Sequence, residues 1–219
     1  MFIPLGDNNR LRRLPVVTVL IATVNIAIYV WQLRFGLEDS VLQLGVIPFE
    51  ISQLRELPPF DLIPIPFTLF SAIFLHGSVM HLAGNLLFLL IFGNDIEDAI
   101  GRGRFIVFYL LAGLFASIAH VLIDPLSVTP LVGASGAISG ILGAYLLHRP
   151  GARIHGLTFF FFFFRTSLPA WLFLLLWFLI QLALSHEKTH IAWAAHLGGF
   201  AAGILLLILF RRRMGRIHG

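Results

Sequence analysis

Residues 132–140 read VGASGAISG, nine small or apolar residues that include two serines. The chain around them is built for lipid. Of its 219 residues, 58% are hydrophobic and only 12% charged, whereas a soluble domain carries about 25% charged residues. This composition predicts an integral, multi-pass membrane protein whose constant partner is the lipid bilayer. Apolar segments begin near Leu14 and continue to Phe210. That leaves a short polar segment at 1–13, a single membrane domain at 14–210 and a basic tail at 211–219. With no cysteine there is neither a disulfide framework nor a thiolate nucleophile. The net charge of +4 does not point to nucleic acid, because the basic residues follow the ends of the apolar runs.

Long apolar runs predict an all-α membrane protein of six transmembrane helices, at about 14–33, 78–93, 105–123, 135–148, 168–185 and 190–210. The first run fits a full span and exceeds the core of a typical signal peptide, so it is expected to stay in the mature protein. Twelve of the fifteen Lys and Arg residues fall before the first span, after the last, or in alternate connections. The positive-inside rule then predicts that both termini are cytoplasmic. Residues 35–75 form a long, proline-containing outer loop that is expected to lie partly in the interface. The FFFFFF run at 159–164 reads as an interfacial cytoplasmic segment leading into the fifth helix.

Polar side chains inside spans are costly and mark candidate sites. Three groups stand out: His76, His81 and Asn85 in HGSVMHLAGN, Ser135 in GASG, and His196 in AHLGGFAAG. Counted from the cytoplasmic ends of their helices, Ser135, His196 and His81 rise roughly 20, 22 and 21 Å at 1.5 Å per residue. One serine and two histidines therefore share a level. The fourth helix, counted from Ser135, is too short to cross a core about 30 Å thick. Residues 131–134 must then descend as irregular backbone, which is tolerated only beside protein or a water-filled cavity. Gly133 suits that loop. Gly136, Gly140 and Gly143 on the fourth helix and Gly199 and Gly203 on the sixth are spaced for close helix packing.

A serine hydroxyl needs a base within about 3 Å, and neutral imidazole is suited to the work. No Asp or Glu lies at the shared depth, so a Ser135–His196 dyad is expected rather than a triad. His81 and Asn85 share a helical face and, with the Ser135 backbone N–H, suit an oxyanion hole. Each residue also has a plainer reading. Ser135 and Ser139 fit as packing residues, His81 and Asn85 as interhelical hydrogen-bonding groups, and His196 as part of an ion pathway. A metal site from His76, His81 and His196 lacks H-E-x-x-H and a placed carboxylate, so no metal is expected. No cofactor is expected either. A transporter accounts for buried polar groups but not for the Gly-Ala-Ser-Gly sequence.

Together, HGSVMHLAGN, GASG and AHLGGFAAG, in that order, resemble the rhomboid family of intramembrane serine proteases over residues of roughly 14–210. The resemblance implies a six-helix rhomboid bundle with Ser135 as nucleophile, His196 as general base, and His81 and Asn85 as oxyanion donors. It also implies that His76 helps line the polar cavity. The implied substrates are transmembrane proteins cut in or beside a membrane helix, and the fifth helix and first loop are candidate gates. The alternative is a rhomboid-like protein that binds membrane helices without cutting, which loss of the serine or histidine would signal. Two positions depart from the common pattern. Phe67 and Thr68 stand where many members have Trp-Arg, and Ser139 stands where some members have an aromatic that stacks on the histidine, with Trp193 or another neighbour as a candidate substitute. The expected location is the plasma (inner) membrane of a prokaryote.

Overall fold

Twenty residues from Val16 to Phe35 form α1 in the computed structural model, which describes residues 2–9, 11–159, 162–184 and 193–215. The outer loop folds into three short helices, α2 (Leu37–Leu44), α3 (Pro48–Gln53) and α4 (Ile65–Ser71). Next comes α5 (Val79–Phe88), whose N-terminus is capped by Ser78 Oγ accepting from the His81 N–H. A π-helical turn at Leu89–Gly93 carries it into α6 (Asn94–Ile100), and α7 spans Arg102–Ile123. The remaining helices are α8 (Ser135–His148), α9 (Ala170–Leu184) and α10 (Trp193–Gly215). Four helical stretches, 16–35, 79–100, 102–123 and 193–211, are long and apolar enough to cross a membrane. The protein is predominantly helical and membrane-embedded.

Every residue from Gly136 to Tyr145 is buried, so α8 stands inside the bundle with no lipid face. A helix that is apolar all round belongs in such a position. It packs chiefly against α7 and α10. The second span is longer than its expected range of 78–93. Asp95 and Glu97, both beyond that range, are buried inside a helix that continues to Ile100.

Glu97 explains why that extra turn is there. α1 has no side-chain cap of its own and no acidic residue in its first turn. Glu97 supplies the acceptor from α6, taking the Val17 N–H at 3.0 Å, the Thr18 N–H at 2.7 Å and the Thr18 hydroxyl at 2.8 Å. A carboxylate at a helix N-terminus satisfies orphan donors and complements the dipole. The first helix is thus pinned to the second span at one end.

The all-α expectation needs one correction. β1 (Phe2–Asp7), β2 (Arg153–Phe159) and β3 (Phe163–Pro169) form an antiparallel sheet in the order β1-β2-β3. The Phe-rich segment is rich in aromatic and β-branched residues, which favour a pleated surface over a helix that would bury only one stripe. Phe2 pairs with Thr158, and Arg153 with Pro169. Six residues of the expected polar segment at 1–13, Phe2–Asp7, are therefore a strand. It is tied to α8 through the Tyr145 hydroxyl, which donates to Asp7 at 2.5 Å and accepts from Asn9 at 2.9 Å.

In the outer loop, the Asp61 carboxylate oxygens are shielded from solvent and have no hydrogen-bond partner among the described residues. Burial, then repulsion from Glu50 and Glu56, pushes Asp61 up to about 6. The Glu50 carboxyl is also raised, again by burial first, although it accepts from the Leu57 N–H at 2.6 Å.

A carboxyl raised on folding binds more protons in the native state, so the loop gains stability as pH falls through about 6 toward 3.8 and has lost that gain above 6. Protection factors of residues 50–62 against hydrogen exchange, taken relative to the intrinsic exchange rate at each pH, are expected to be higher at pH 5.5 than at pH 7.5 (about two units apart). Asp61→Asn is expected to flatten that difference. For the helix cap, Glu97→Ala is expected to cost on the order of 2–4 kcal/mol and Glu97→Gln less, read as a lowered unfolding midpoint in detergent.

Candidate active site

The site begins with backbone that would not survive alone in hydrocarbon. Residues 131–133 descend beside α8, and three of their backbone groups pair with the segment 46–72. Leu131 and Val46 exchange two backbone hydrogen bonds, of 3.0 and 2.7 Å, and the Gly133 N–H donates to Ala72 O at 2.8 Å. The outer loop therefore holds up the buried one. Gly133 has φ +125°, a region that favours glycine. A Cβ there would sit 2.7 Å from the His81 imidazole and 3.6 Å from Ser135 Oγ. The bare α-carbon is what lets the histidine ring approach the serine.

From this loop α8 starts at Ser135, with no side-chain cap at its N-terminus. Its first-turn N–H groups are left facing the space beside the serine, where they favour negative charge. Ser139 Oγ donates to the Ser135 carbonyl at 2.7 Å, so the second serine is a local backbone partner of the first.

α10 supplies the histidine. The glycines meet as their spacing implied: a Cβ on Gly203 would run into Gly140 O, one on Gly199 into Gly136 O, and one on Gly143 into Phe200 O. At that approach His196 Nε2 lies 2.9 Å from Ser135 Oγ. On the other side of the ring, Nδ1 lies 2.6 Å from the Gln181 side-chain oxygen. A carbonyl oxygen only accepts, so the tautomer that serves both contacts has its proton on Nδ1 and turns the Nε2 lone pair to the serine.

His81 and Asn85 stand on α5, one helical turn apart. Asn85 is buried, and its amide nitrogen has no partner among the described residues. An unsatisfied buried donor is expensive, and a site that receives an anion offsets the cost. His76 is fully buried behind His81, with ring centroids 5.2 Å apart in an edge-on arrangement. Its backbone N–H is taken by Gln32 Oε1 at 2.9 Å, and its Nδ1 donates to Phe74 O at 3.2 Å. A small cavity lies beside Ser135, walled by Gly133, Ala72, Ser117 and Ala195. It holds about 10 Å³ for water centres, room for about one water molecule.

Sequence reasoning missed Gln181. The signal was there: it is the one amide in an otherwise apolar helix, AWLFLLLWFLIQLAL. For the aromatic partner of His196 the sequence left Trp193 or another neighbour open. The ring placed near the imidazole is that of Trp177, at a centroid distance of 6.1 Å, and it stacks on Phe200. Phe67 is exposed, whereas Thr68 is buried and its hydroxyl donates to Ile65 O at 2.6 Å within α4 itself. No group of three or more His, Cys, Asp or Glu among the described residues is arranged to hold a metal ion.

A family model described as the Rhomboid domain matches residues 66–213, which include all three motifs. The chain belongs to the rhomboid family. It is 32% identical over 152 residues to RHOMBOID-like protein 5 of Arabidopsis thaliana, covering 68% of this chain and 46% of that protein. It is 46% identical over 78 residues to rhomboid protease GluP of Bacillus subtilis, covering 36% of this chain and 15% of that one. With rhomboid protein 1, mitochondrial, of Saccharomyces cerevisiae it shares 28% over 196 residues, 83% of this chain and 49% of the relative. The chain thus spans about half or less of the length of these relatives. They come from bacteria, plants and mitochondria, so family membership fixes a membrane location without selecting the prokaryotic plasma membrane.

The glycine contacts give a direct test. Gly203→Val is expected to force α10 from α8 and abolish the Ser135–His196 contact, with a stability loss on the order of 1–3 kcal/mol. Gly203→Ala should fall between it and wild type. Thermal unfolding and serine-directed labelling of the same detergent samples measure both effects.

Proposed function

We propose that this rhomboid-family protein is an intramembrane serine endopeptidase that cuts peptide bonds in or near the transmembrane helices of other membrane proteins. The observation that carries the proposal is the 2.9 Å contact between Ser135 Oγ and His196 Nε2, with Nδ1 against the Gln181 amide oxygen on the far side. In this reading α1, α5–α6, α7, α8, α9 and α10 are six spans and both termini are cytoplasmic, as the distribution of Arg and Lys favours.

His196 Nε2 takes the proton from Ser135 as Oγ attacks the substrate carbonyl. The resulting oxyanion is met by His81, by the Asn85 amide that otherwise lacks a partner, and by the Ser135 N–H at the uncapped start of α8. The imidazolium then gives its proton to the leaving nitrogen, and an acyl-enzyme remains on Oγ. A water molecule, for which the cavity beside Ser135 has room, is deprotonated by the same Nε2 and attacks the ester. The substrate helix must unwind locally to present its carbonyl, so small and helix-destabilising residues are expected near the cut.

Ser135→Ala and His196→Ala are each expected to abolish cleavage of a transmembrane substrate in liposomes. Asn85→Ala is expected to lower kcat by about 100-fold with little change in KM, the usual cost of losing one oxyanion donor. A fluorophosphonate should label wild type at Ser135 and leave Ser135→Ala unlabelled. Wild-type cleavage by Ser135→Ala would refute the proposal, and a helix-binding protein without hydrolase activity would show no labelling.

A further inference from the structure

We infer that Gln181 is the positioning residue of the catalytic base, and that α9 thereby controls whether the base is competent. The inference rests on the hydrolase reading above and extends it to a residue outside the three motifs. Gln181 is buried, on α9, with its amide oxygen 2.6 Å from His196 Nδ1. No carboxylate makes a hydrogen bond to this ring among the described residues. In hydrocarbon a buried, unpaired carboxylate would be costly, and a neutral amide avoids that cost.

The chemistry of the contact is specific. With the amide oxygen toward Nδ1, the ring proton is held there and Nε2 is free to accept from Ser135. If the amide turned its NH₂ toward Nδ1, the ring proton would move to Nε2, and the base would face the serine already occupied. When His196 becomes imidazolium, the same carbonyl dipole faces the Nδ1–H and opposes loss of the ring's orientation. Gln181 does not touch the reacting atoms; it acts through the histidine, as the orienting acid does in a serine triad.

Its place on the fold adds the second element. Trp177 and Gln181 are i, i+4 on α9, so one face of this helix presents both the ring near His196 and the acceptor for Nδ1. Those two side chains are held by a helix that meets its neighbours largely through aromatic contacts, Trp177 and Phe178 on Phe200 and Phe173 on Phe92. A displacement of α9 by about 1 Å stretches the amide contact past hydrogen-bonding range. The base is then oriented only while α9 is seated.

Two variants separate this role from simple packing. Gln181→Met keeps length and apolar bulk but removes the strong acceptor; Gln181→Glu supplies a stronger one. Gln181→Met is expected to slow fluorophosphonate labelling of Ser135 by at least about 10-fold with substrate KM unchanged. Its His196 ring ¹⁵N signals should report mixed tautomers where wild type shows Nδ1–H. Gln181→Glu should restore labelling and move the acidic limb of its pH profile upward, because a carboxylate favours the imidazolium. Labelling of Gln181→Met at the wild-type rate, or unchanged ¹⁵N signals, overturns the inference. Absence of Ser135 labelling in wild type would instead overturn the hydrolase reading, and the ¹⁵N signature would still report the Gln181 contact by itself.

Discussion

The backbones of α8 and α10 touch where glycine faces glycine, and the geometry of the site depends on that contact. Side chains of ordinary size at Gly140 and Gly203 would hold the helices apart, because even one methyl at Gly203 meets the Gly140 carbonyl. Between helices in lipid there is little hydrophobic drive to association, so close packing must supply it. The contact brings a short serine on one helix within reach of an imidazole on the other. It also fixes the register, since Gly199 on Gly136 and Gly203 on Gly140 cannot both be kept if either helix slides.

A second constraint follows from where α8 begins. Fourteen residues of helix span about 21 Å, and the rest of the depth is covered by a loop whose polar groups are all at risk in a dry setting. The outer loop answers this by lending Val46 and Ala72 as backbone partners. Its folded core is therefore a condition of the site as well as a boundary of it. Thr68 and Ser71 serve the same end more locally, their hydroxyls donating to Ile65 O and Leu44 O at 2.6 Å each.

What was legible in the sequence was what repeats or what is costly. Apolar run length located the long helices, and glycine spacing located the close contact. Depth counting brought Ser135 near His196 and His81 because helical rise is nearly constant. What was not legible depends on pairing across distance. Hydropathy cannot distinguish a strand from a helix around the Phe-rich run, and one partner of β2, the strand β1, lies about 150 residues away in the sequence. Glu97 drew no notice in the sequence because its partners, the first N–H groups of α1, are invisible until the helices meet. Gln181 sat in a greasy helix without a motif around it, and only the tertiary structure shows which ring it faces.

The sheet has a consequence for how the chain is made. Phe2 pairs with Thr158, and Asp7 with Ile154, so β1 emerges from the ribosome long before its partner strand. At ordinary synthesis rates the interval is on the order of 10–30 s. Throughout it a strand-forming segment with an exposed Leu5 and a buried Pro4 has no ladder to join. Insertion of α1 can proceed early, but the seam that fastens the chain's beginning to its middle closes only after α8 is complete. Biogenesis therefore has a late, post-insertion step built into it, in which a strand made before α1 finds its place only after α8 has been made.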